Sequence, residues 1–257
     1  MEPSCTPTQI QVMSTYRSSI KIDREITHQA HPHHKLRLEY SETPFDCHGC
    51  KEAGIGLKYR CQLCKYELHK VCGAAQPTVT HPFYRKCAFD FYYRPPDHNL
   101  RICDACQGDV SGFVYHCKCC DFDLHPCCVN LQQVLNDGQN NMLYLSAGLS
   151  GSCHHCGAKG PGWAYRSGQS KGYNLHVSCV KKLLVESWLA SYFNVDKNKV
   201  QELQTRIPSL SGAPQKNGSG VRKYAQLAGG AVRVVMSALL GDPTAVLAGV
   251  VRGLISM

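Results

Sequence analysis

The chain has 257 residues, among them 17 Cys and 13 His, with 18% charged residues and a formal net charge of +9. Such a cysteine content excludes the composition of an ordinary soluble enzyme and points to metal or disulfide chemistry. If fourteen cysteines ligate five Zn²⁺, the charge falls to about +5, and with no polybasic run in the sequence specific nucleic-acid binding is not expected.

Residues 1–27 begin Met1-Glu2-Pro3-Ser4-Cys5 without a basic start and an apolar run, so no secretory signal is expected. A reducing, intracellular setting in the cytoplasm, the nucleus or both follows as the expectation, with peripheral attachment to endomembranes as the variant. Clustered cysteines there read as metal ligands rather than disulfides. Cys5 reads as a free thiol.

Three segments then repeat. The first has Cys47-x2-Cys50, Gly56-Leu57-Lys58-Tyr59, Cys61-x2-Cys64 and Glu67-Leu68-His69-x2-Cys72. The second has Cys103-x2-Cys106, Gly112-Phe113-Val114-Tyr115, Cys117-x2-Cys120 and Asp123-Leu124-His125-x2-Cys128. The third keeps Cys153-x2-Cys156, Gly162-Trp163-Ala164-Tyr165 and Asn174-Leu175-His176-x2-Cys179, but has Ser167 and Ser170 in place of the second cysteine pair. The spacing predicts a short strand at each Gly-apolar-x-Tyr step, another at each x-Leu-His step, and a brief helix at the His-x2-Cys end. Units of about fifty residues bury too little apolar surface to stand without a staple. The predicted fold class is therefore small zinc-stabilised α+β modules in three tandem copies, over residues 28–82, 83–138 and 139–182, followed by a helical C-terminal region.

The third copy divides the ligands. A tetrahedral zinc site needs four donors, and the four that survive there are Cys153, Cys156, His176 and Cys179. By the same rule one site is Cys47, Cys50, His69 and Cys72, and another is Cys103, Cys106, His125 and Cys128. The remaining pair of the first copy, Cys61 and Cys64, needs two flanking donors, for which spacing suggests His34 and His81; His31 and His33 are the substitutes for His34. In the second copy Cys117 and Cys120 take Cys87, which aligns with His34, and Asp137 as the weakest candidate. Five Zn²⁺ are expected, or four if that last site is incomplete. Cys119 and Cys127 read as spare thiols, and Phe89, Phe91, Tyr92 and Tyr93 as a candidate contact surface.

These motifs resemble the divergent C-one cysteine/histidine-rich domains of plants, relatives of the diacylglycerol-binding, protein kinase C type domains, over about residues 28–182. The resemblance implies a non-catalytic zinc-binding adaptor in signalling, development or stress response, with other proteins as partners. Lipid-binding relatives carry a longer loop between the cysteine pairs with a Gln-Gly step, which Gly54–Arg60 lacks, so a membrane or diacylglycerol-type sensor is the alternative. A histone-tail-reading plant-homeodomain finger can also be fitted through Cys47, Cys50, Cys61, Cys64, His69, Cys72, Cys103 and Cys106, although Arg101 stands where an aromatic residue is expected. A redox role for the Cys-x2-Cys pairs would leave each His-x2-Cys unexplained.

Beyond the modules, residues 183–207 read as a helical extension and 208–224 as a linker. Residues 225–257 read as an apolar helical segment, too interrupted by charge for a simple span, through which membrane contact is the alternative to protein contact.

Overall fold

The computed structural model describes residues 23–97, 99–136, 142–167 and 174–182. Asp137 and everything predicted for residues 183–257 lie outside the described residues.

Backbone pairing is dominated by three four-stranded antiparallel sheets. The first is β1 (Glu25–His28), β2 (His31–Asp46), β3 (Ala53–Arg60) and β4 (Glu67–His69), in that order. The second runs β5 (Thr78–Val79), β6 (Phe89–Tyr92), β7 (Val114–Cys117) and β8 (Phe122–Leu124). The third has β9 (Val134–Asn136), β10 (Met142–Ser146), β11 (Ala164–Ser167) and β12 (Asn174–His176). Two four-residue helices, α1 (Lys70–Gly73) and α2 (Pro126–Val129), carry Cys72 and Cys128. They begin directly after the ligand histidine, so each cysteine lies within the helix. Pro126 suits the first helical position of α2, where its missing N–H has no partner to lose.

The strands at Gly-apolar-x-Tyr and x-Leu-His are β3, β7, β11 and β4, β8, β12. In the second and third sheets the two strands that precede the first cysteine pair carry no ligand motif, whereas β2 carries His31 and His34; each sheet begins ahead of the point suggested by ligand spacing. Thr78–Val79 already belongs to the second sheet, and Val134–Asn136 to the third. The recurrent tyrosine ties these early segments down. Tyr59, Tyr115 and Tyr165 are buried, and their hydroxyls donate 2.9 Å hydrogen bonds to the carbonyls of Asp23, Gln76 and Gln132. Each thus packs with its ring while its polar tip is satisfied, as burial of a phenol requires.

The described residues fall into two compact units, one with the first two sheets and one with the third sheet and residues 105–107. In the first unit, Leu36, Phe45, Tyr59 and Leu68 share one core with Phe113 and Cys127, and Phe91 packs against it. The two modules are thus fused rather than strung as beads. Phe113 is stacked on His28 at 5.7 Å and meets Phe91 and Tyr93 edge-on at 5.4 and 5.2 Å. The aromatic run of β6 consequently serves the fold first: Phe89 is fully buried, and only Tyr93 is exposed. In the second unit Trp163, Tyr165, Leu175 and Val177 form the buried core.

Candidate metal centres

Every complete Cys-x2-Cys pair is built on the same turn. The residue after the second cysteine adopts a left-handed backbone in all five: Lys51 (φ 65°), Lys65 (57°), Gln107 (58°), Asp121 (58°) and Gly157 (71°). Where the closing bond is recorded, the chain returns to the first cysteine: Lys51, Asp121 and Gly157 N–H donate to the carbonyls of Cys47, Cys117 and Cys153 at 2.8–2.9 Å. Only one of the five is glycine. A left-handed conformation costs an ordinary residue about 1 kcal/mol or more, so these turns need something that repays them.

The turns bring cysteine pairs to the ends of strands that carry the remaining donors. Cys47, Cys50, His69 and Cys72 converge, all buried; Cys103, Cys106, His125 and Cys128 converge, all buried; and Cys153, Cys156, His176 and Cys179 form a third cluster, with Cys156 exposed. In each, the donor atoms lie within 4.8 Å of one another. A tetrahedral zinc ion with sulfur at about 2.3 Å and nitrogen at about 2.0 Å sets S···S near 3.8 Å and S···N near 3.5 Å. His69 Nδ1 lies 3.3 Å from Cys50 Sγ and 3.8 Å from Cys72 Sγ. His176 Nδ1 lies 3.5 and 3.8 Å from Cys156 and Cys179. The donors therefore fit the ion. Backbone carbonyls fix the other face of the ring: His69 Nε2 is 3.2 Å from Ala53 O, and His125 Nε2 is 3.0 Å from Asp109 O. With Nε2–H donating, Nδ1 keeps its lone pair for metal.

The second cluster of the first module differs from the spacing argument. Its donors are His31, His34, Cys61 and Cys64, with Cys64 Sγ 3.1 Å from His34 Nδ1. His31 replaces His81. The reason is strand pairing: β2 runs antiparallel to β3 with Arg37 opposite Arg60, which carries the start of β2 to the loop between Cys61 and Cys64. His31 stacks on Tyr66 at 4.6 Å and its Nε2 is buried without a hydrogen-bond partner, as suits a group waiting on an ion. His81 follows β5 and is buried beside Phe83 and Tyr84; desolvation lowers its pKa to about 4. It lies in the connection between β5 and β6, within the second module, where the chain has already gone by that point.

Cys87, Cys117 and Cys120 converge in the second module, with Cys87 Sγ 3.1 Å from Cys120 Sγ. Asp137, the fourth donor expected there, is outside the described residues. The plant-homeodomain arrangement would take Cys103 and Cys106 from their own module, but they meet His125 and Cys128 instead.

Electrostatics match shared, partly deprotonated thiols. In the third cluster a hydrogen bond from Cys179 holds the Cys153 thiol at about 3 against the opposing effect of burial, while the same bond pushes Cys179 up. Binding a metal there must displace the remaining protons, which makes affinity fall with acidity.

An ion-pair network braces the second module. Arg101 reaches Asp97 at 2.8 Å, Asp121 at 2.8 Å and the buried Asp123 at 2.7 Å. Asp123 also faces His116 at 3.0 Å, and its N–H donates to Asp104 beside Cys103. Arg101→Ala leaves that carboxylate buried without its cation, and a loss of about 3 kcal/mol is expected in urea unfolding of the zinc-loaded chain. Arg101→Lys should recover only part, because one ammonium cannot span three carboxylates.

The model of the C1 domain family matches residues 29–73, a segment that holds every donor of the first module's two clusters. No curated protein and no solved structure matches the chain. The protein therefore carries a C1-type zinc-binding domain, and its described residues are mostly sheet with Cys/His clusters arranged for zinc.

Proposed function

We propose that this protein is a non-catalytic intracellular adaptor of three tandem zinc modules, of the plant divergent C-one kind. Its short three-module arrangement resembles the vacuoleless gametophytes proteins. The observation that carries the reading is the donor set: four clusters each offer four protein ligands, whereas a hydrolytic zinc ion works through an open position. The ions then serve as staples for small sheets, and function falls to the surfaces they hold.

The surface best suited to a protein partner is a cleft of about 780 Å³ in the first unit, lined by Tyr66, Tyr93, Pro95 and Pro96 with Lys51 and Arg94 at hand. Exposed aromatic and arginine side chains around a preformed hollow are what protein contacts favour. The diacylglycerol-type alternative draws less support, since Ala53–Arg60, where lipid-binding relatives insert an apolar loop, is a strand paired with β2 along its length and with β4 at Lys58–Arg60, and Gly54, Ile55 and Gly56 are buried. Proximity labelling with the full chain and with Tyr93→Ala/Arg94→Ala tests the reading. The double variant is expected to keep its zinc and lose most specific neighbours. An unchanged neighbour set, together with binding of the full chain to phosphatidylserine vesicles only when diacylglycerol is present, would replace the adaptor by the lipid sensor.

A further inference from the structure

One thiol at the first metal cluster comes from the neighbouring module. Cys127 lies in α2, one residue before the ligand Cys128, and is buried. Its Sγ is 3.7 Å from Cys50 Sγ and 3.7 Å from His69 Nδ1. Those are the spacings at which a tetrahedral ion holds its own ligands, and they equal within 0.1 Å the 3.8 Å from Cys72 Sγ to His69 Nδ1 inside the cluster. A fifth donor thus stands beside two of the four ligands of a site where zinc takes four.

The helix explains how both cysteines are used. Successive residues on an α-helix point about 100° apart, so Cys128 turns to Cys103, Cys106 and His125 while Cys127 turns to the first module. The shared core holds it there: Cys127 packs in one cluster with Cys50, Cys72, Leu68 and Phe113.

We propose that Cys127 is a spare ligand of the first module's buried cluster, able to take a vertex of the ion when Cys50 is withdrawn, so that the metal then ties the second module to the first. This rests on reading that cluster as a zinc site.

Native mass spectrometry of the full chain, loaded with zinc, tests the assignment. Cys127→Ser and Cys50→Ser are each expected to hold as many ions as the unsubstituted chain, and Cys50→Ser/Cys127→Ser to hold one fewer. Cys156→Ser, at the matching position of the third cluster, is the control and should lose one ion. A Cys50→Ser chain short of one ion, or a double variant with the full number, overturns the proposal. Amide spectra of Cys50→Ser read the fold of the first unit at Tyr59 and Tyr115. A variant that stays unfolded in excess zinc also overturns it, because a spare ligand would restore four donors. If the unsubstituted chain holds no zinc, it is the zinc reading itself that fails, and the two failures are thereby told apart.

Discussion

Chelation of the metal is expected to unfold the first two modules together, in a single transition, rather than one after the other. A structural zinc ion supplies about 10–16 kcal/mol of apparent binding free energy at neutral pH, against a net stability of about 5–15 kcal/mol for a typical domain. The sheets have no other comparable reserve: β4 and β8 are three residues long, and α1 and α2 are single turns. Because Phe113 and Cys127 complete the core that contains Cys47, Cys50 and Cys72, collapse of the first cluster strips the second module of its packing. The order of ion loss is also set by burial. The cluster of His31, His34, Cys61 and Cys64 has an exposed Cys64 and two half-buried histidines, whereas Cys47, Cys50, His69 and Cys72 are all buried. A chelator titration followed by native mass spectrometry should remove an ion from the exposed cluster first with little change in charge state. Loss of the buried ions should then shift the distribution abruptly. Amide spectra that keep their dispersion in the metal-free chain would contradict this account.

Gly112→Ala is expected to destabilise the junction of the first two modules without touching a ligand. A Cβ there would sit 2.0 Å from the carbonyl oxygen of Gly49, the same oxygen that accepts the Phe113 N–H at 2.9 Å. Backbone meets backbone at this point, so no side chain can swing aside. Gly49 is confined in turn, since its own Cβ would lie 2.5 Å from the Phe113 ring. Overpacking costs about 1–3 kcal/mol and occasionally more, and here it acts where the two modules join. The measurement is urea unfolding of the zinc-loaded chain, with Gly148→Ala, whose Cβ would meet nothing within 4 Å, as the neutral control. Amide shifts of His28 and Tyr93, which meet Phe113 across the junction, should move in Gly112→Ala while zinc content is unchanged. A stability within about 0.5 kcal/mol of the unsubstituted chain would show that the junction yields more easily than its geometry implies.

The three histidine-containing Cys3His groups were legible from residue order alone. Ligand spacing is a local property, set by a tight turn at one end and a His-x2-Cys helix start at the other, and the loss of the second pair at Ser167 and Ser170 told the interleaved sites apart. The choice of His31 over His81 was not legible in this way. It depends on which strand lies beside the Cys61–Cys64 loop, and β2 reaches it through pairing with β3, whereas His81 lies beyond β5 in the next sheet. Nor did spacing mark the left-handed residues after most of the knuckles, because Lys51, Lys65 and Gln107 are not residue types that announce a positive φ. The signal for β2 was present in the alternation Leu36, Leu38, Tyr40, but histidine crowding just before it draws attention to ligands instead of strands.

Sequence by itself thus determined the chemistry of this protein, because metal donors are fixed by residue type and by separations short enough for the chain to close locally. Only the tertiary structure decided that the first two modules share a core and that Cys127 faces a neighbour's cluster. Those relations join residues as far apart as Cys50 and Cys127 through packing and strand register, which no spacing along the chain encodes.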